Sequence, residues 1–65
     1  MKLSRAEIRL AAESIACTAW ERGASADQVA LDIARAFRRD NPKAQEAAQE
    51  YAAAWLERIA HADLA

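Results

Sequence analysis

One cysteine, one glycine, one proline and one histidine occur in the 65-residue chain, and each scarcity closes off a class of protein. A lone Cys17 forms no internal disulfide, and with His61 as the single histidine there is no zinc-ligand spacing, so no metal and no cofactor is expected. An unpaired cysteine suits a reducing compartment. With Gly23 as the only glycine, no Gly-rich loop is present to cradle a phosphate. No apolar run approaches the roughly 20 residues of a membrane span. The opening Met1-Lys2-Leu3-Ser4-Arg5 turns polar at once and lacks the apolar core of a signal peptide. A soluble cytoplasmic protein is the expectation.

Large apolar side chains are scarce as well. The 54% hydrophobic content contains nineteen alanines, and without them and Cys17 only fifteen larger residues remain. Met1 and Leu64 stand near the ends and add little to a core. A core of that size rarely supplies more than roughly 3–5 kcal/mol, and small chains commonly add a disulfide, a metal or self-association. Self-association is the device still open, so a homodimer is expected on physical grounds. Net charge is −1, from nine basic and ten acidic residues, which favours neither nucleic acid nor a membrane surface in bulk. Seven Arg against two Lys, with so much Ala, fits a GC-rich coding sequence of a bacterium or its phage.

Three helices are written plainly, at about 5–22, 26–39 and 42–62. Ser4 and Glu7 make a capping box, Leu3 and Ile8 a hydrophobic staple, and Gly23 a C′ residue able to take positive φ. Ile8, Ala12, Ile15 and Ala19 form the first apolar stripe. Ser25 and Gln28 repeat the capping box, Val29, Ala30, Ile33, Ala36 and Phe37 form the second stripe, and Arg38 and Arg39 are placed in the last turn, where positive charge is favoured. Asn41-Pro42 caps and opens the third helix. There Ala44, Ala48, Tyr51, Ala52, Trp55, Ile59 and Ala62 recur at helical spacing, and the first two helices are expected to pack on Tyr51, Trp55 and Ile59. Short connections force consecutive helices to turn sharply against one another. The fold class is all-α, one compact three-helix domain.

Beside this core pattern stand several groups that could carry function. Leu10, Cys17 and Trp20 lie on the side of the first helix away from Ile8 and Ile15, and Leu31 points away from Val29 and Ile33. A helix in a three-helix bundle needs one apolar face, so this second one suggests a partner or a dimer contact. Tyr51 and Trp55 are read, with Ile59, as core or as the core of a dimer interface. Arg35, Arg38, Arg39 and Lys43 form a basic group at the second junction, suited to phosphates or an acidic protein surface and interrupted by Asp32 and Asp40. His61 follows Glu57 by one turn, a pair explained as a helix-surface contact. Glu13 and Glu21 flank Cys17 and raise, rather than lower, a thiol pKa. With no catalytic constellation, no enzyme is expected.

Ala19, Gly23 and Val29 occupy the small, turn and aliphatic positions of a bacterial helix-turn-helix, which the stretch from Ile15 to Ala34 resembles. The resemblance implies DNA reading by the second helix. It departs from that motif at Arg22 and Asp32, where the motif buries aliphatic residues, and Asp27 and Asp32 would face a DNA backbone that repels them. The reading that follows is a small non-enzymatic protein-interaction module, in its sharper form a phage-encoded or accessory inhibitor that occludes a host protein. A helix-turn-helix-like nucleic-acid-binding regulator is the alternative.

Overall fold

Ser4 starts the first helix in extended backbone, at φ −73° and ψ 163°. Its hydroxyl accepts from the Glu7 N–H at 3.1 Å, and its own N–H donates to Glu7 Oε1 at 2.9 Å. Two orphan donors of the first turn are thereby satisfied. In this computed structural model, which describes residues 3–64, the three helices are α1 Arg5–Glu21, α2 Ala26–Ala36 and α3 Pro42–Leu64. Met1 and the Leu64 side chain lie outside what is described. Gly23 takes φ +76° behind α1, the left-handed turn only a glycine makes without strain.

Two local expectations are corrected. The Ser25 hydroxyl accepts from the Gln28 N–H at 3.2 Å, but the Gln28 side chain donates to Asp32 Oδ1 at 3.0 Å instead of closing the box. α2 also ends at Ala36, so Arg38 and Arg39 stand in the turn that follows and not in the helix. Phe37 is the C-cap, one turn beyond Ile33 on the same face, and is buried in the core. Gln45 Nε2 donates to the Asp40 carbonyl at 2.9 Å and the Arg38 carbonyl at 3.4 Å, satisfying backbone that the early stop leaves open. Asn41 caps α3 as expected, its Oδ1 accepting from the Ala44 N–H at 2.8 Å.

The contacts set an up-down-up bundle. Ile8 shares a cleft with Ala44 and Ala47, and Glu13 Oε2 meets Arg58 Nη2 at 2.8 Å, so α1 and α3 run the same way. α2 runs against both, since Gln45 reaches Arg38 while Gln49 Nε2 reaches the Ala30 carbonyl at 2.8 Å. Ile8, Ala12, Ala16, Ala19, Val29, Ile33, Phe37, Ala48 and Ala52 form the buried core. The bundle measures 39 × 19 × 14 Å.

The core differs from the expected stripes. Ala16 is buried where Ile15 was expected, and Ala30 and Ala36 are exposed. On α3 the fully enclosed residues are Ala48 and Ala52; Tyr51, Trp55 and Ile59 are half-buried. Tyr51 and Trp55 pack against the core, and Leu56, absent from the expected stripe, joins them. Length explains the shift. α2 is 11 residues, about 16 Å, against about 34 Å for the 23 residues of α3. With Gln49 opposite Ala30, α2 begins near the middle of α3, and beyond it Trp55 and Ile59 have a neighbour on one side only.

Glu7 carries a pH dependence. The Ser4 N–H, then the Ser4 hydroxyl, hold its carboxyl below the usual carboxylate range. A folded pKa below the unfolded one stabilises at neutral pH, and that contribution is lost as pH falls through the carboxylate range. Glu7→Gln, which keeps a capping residue without the titration, should flatten the acid side of the melting-temperature-versus-pH curve; an unchanged curve would show the box to be silent.

Candidate functional site

Exposed apolar side chains on the outside of the bundle are the first candidate. Leu10 is 69% exposed, Leu31 54%, Trp20 42% and Leu3 38%. These residues do not merge into one patch. At about 100° per residue, Leu10 and Cys17 fall on one outward line of α1, while Trp20 stands some 60–80° round. That is the side of Arg9 and Glu13, the seam with α3. Leu31 lies outward on α2, beyond an open groove of about 460 Å³ lined by Ser14, Ile15, Thr18, Arg22, Asp32, Arg35 and Ala36. That groove, with Ile15 and Ala36 among its lining, separates Leu31 from Leu10 and Cys17.

Cys17 is half-buried, and its thiol donates to Glu21 Oε1 at 3.6 Å. Burial and then the Glu21 carboxylate push its pKa up, opposite to the shift that activates a nucleophile. Glu13 gathers Arg58 at 2.8 Å and Arg9 at 3.4 Å across the α1–α3 seam. His61 Nε2 lies 3.9 Å from Glu57 Oε1 on an exposed surface. Among the described residues no group of three His, Cys, Asp or Glu is placed to hold a metal ion. No helix among them is long and apolar enough to cross a membrane.

Arg22 and Asp32 depart from the helix-turn-helix pattern together. Arg22 Nη2 meets Asp32 Oδ2 at 3.4 Å across the α1–α2 groove. A charge pair thus stands where that motif places aliphatic contacts.

The basic group is split by the fold and enlarged by it. Arg35 lines the α1–α2 groove, while Arg39 and Lys43 line a second cleft at the end of the bundle where α1 and α3 both begin. Arg5 and Leu3 come to the same cleft from α1 and its approach. The sequence reading did not join Arg5 to this group, although the signal was there. Two short connections make α1 and α3 parallel, and parallel helices bring their first residues together.

The class these features define is an all-α three-helix protein, up-down-up, with an alanine-lined core. Comparison with known proteins finds no matching family model, no matching curated protein and no matching solved structure.

Proposed function

We propose that this chain is a small, non-enzymatic protein-interaction module that binds a protein partner through the outer face of α1, with Leu10 and Cys17 central and Trp20 at its margin. The observation that carries this is Leu10, 69% exposed in a chain so short of large apolar residues. Trp20 adds the large, rigid contact area over-represented in binding hot spots. A tiny, Arg- and Ala-rich chain with no visible chemistry suits the sharper version, an accessory or phage-encoded inhibitor that occludes a host protein in the cytoplasm. A second copy of the chain is the competing occupant. The alternative, a helix-turn-helix-like nucleic-acid-binding regulator, rests on the α1–α2 junction and on Arg35, Arg38 and Arg39.

Light scattering across a concentration series, with helicity followed in parallel, is the first measurement. The Leu10→Ser/Trp20→Ser variant should keep its helicity and lose whatever association the wild type makes. A wild-type dimer abolished by those substitutions would make the partner a second copy. A stable monomer leaves the face for a foreign protein, found by pull-down with the variant as control. Loss of helicity in the variant would assign both residues to the core and end this reading. DNA affinity falling steeply with salt would transfer the reading to nucleic acid.

A further inference from the structure

We propose that the cleft where α1 and α3 begin docks an acidic peptide segment of a protein partner, with carboxylates against Arg5, Arg39 and Lys43 and an apolar side chain seated between them. This surface is separate from the outer face of α1, and the proposal stands without that reading. The cleft holds about 440 Å³. Its floor is aliphatic, made by Ile8, Ala44 and Ala47, with Leu3 at one lip, 38% exposed.

Charge complementarity selects the occupant. Three cations line the cleft against one carboxylate, Asp40, a local excess of +2 in a chain of net charge −1. Arg9, Arg22 and Arg58 each meet a carboxylate within 4.0 Å, whereas among the described residues Arg5, Arg39 and Lys43 meet none, nor do Arg35 and Arg38 outside the cleft. Two of the three also sit where helix physics disfavours them. Arg5 is the first residue of α1 and Lys43 the second of α3, and positive charge at a helix start opposes the dipole. The first turn of α3 holds no acidic residue at all. Local rules broken without an intramolecular gain mark a surface kept for something else.

A peptide fits this cleft better than a nucleic acid does. The cations form one compact cluster rather than a track along a strand, and no aromatic side chain lines the cleft for a base to stack on. The aliphatic floor asks for an apolar anchor beside the carboxylates.

The experiment is fluorescence anisotropy with a short fluorescein-labelled peptide of Asp and Glu around a central Leu-Phe pair. Saturable binding that weakens with added salt is expected. Arg5→Glu/Arg39→Glu/Lys43→Glu should weaken it by about tenfold or more, as loss of charge complementarity requires. The same variant should melt higher than wild type, because two of its new carboxylates complement helix starts. Exchanging Leu-Phe for Ser-Gly should also weaken binding, and Leu10→Ser/Trp20→Ser should leave it unchanged. Amide shifts of wild-type Lys43, Ala44 and Ala47 on titration locate the peptide without any variant. No binding at low salt, equal binding of the Ser-Gly peptide, shifts elsewhere, or tighter binding of a single-stranded oligonucleotide of equal charge would each overturn the proposal.

Discussion

Ile33→Ala is expected to leave a large fraction of the chain unfolded at room temperature. Ile33 is fully enclosed, 0% exposed, between α2 and its two neighbours, and with Val29 it is the largest side chain so placed. Truncating a buried Ile to Ala costs roughly 2–5 kcal/mol, the lost transfer energy plus the cavity left behind. A core this small supplies only roughly 3–5 kcal/mol. The two ranges overlap, so one substitution consumes most of the margin. Urea unfolding followed by far-UV circular dichroism checks it, and a midpoint equal to wild type would remove Ile33 from the centre of the core.

The second large effect comes from adding atoms instead of removing them. α1 contributes Ala12 and Ala16 and α3 contributes Ala48 and Ala52 to the shared core, all buried. Ala48 is 0% exposed, so a larger side chain there must displace its neighbours. Ala48→Leu should destabilise by about 1–3 kcal/mol through overpacking. On the exposed face of the same helix, Ala53→Leu should stay within about 0.5 kcal/mol of wild type, since both residues favour helix. Comparable melting temperatures for the two variants would mean that the core around Ala48 is loose.

The same alanines explain where sequence reading of the core went astray. Periodicity ranks candidates by size as well as spacing, so Tyr51, Trp55 and Ile59 looked like the axis of α3. Ala48 and Ala52, members of the same stripe, are the buried positions, and Trp55 and Ile59 continue its line past the start of α2. Spacing places all four on one face, but which of them is enclosed depends on how far α2 reaches along α3. Ile15 and Ala16 repeat the lesson on α1. Nineteen alanines make every face of every helix look partly apolar, so the pattern states that a helix is amphipathic without stating where its face is centred.

The candidate surfaces divide in the same way. Exposure of Leu10 and Leu31 was legible because each stands opposite the most apolar side of its own helix. Their separation was not, because it depends on how α1 and α2 pack and on the groove that opens between them. Arg39 and Lys43 were legible as neighbours in sequence, and Arg5 became their neighbour through the bundle.

What the chain's order of residues determined by itself is the local grammar: Ser4 with Glu7, Ser25, Gly23, and Asn41 before Pro42. Each acts over three or four residues, through a hydrogen bond or a dihedral preference that needs no distant partner. The number of helices, and their starts, follow from those residues alone. Tertiary structure decided the rest. It ended α2 at Ala36, with Phe37 buried as the C-cap, and it left Trp55 and Ile59 half-covered because α2 spans only half of α3. It also gathered Arg5, Arg39 and Lys43 around one cleft. Those outcomes depend on the relative lengths and directions of whole helices, which come from packing summed over the molecule and not from any short stretch of it.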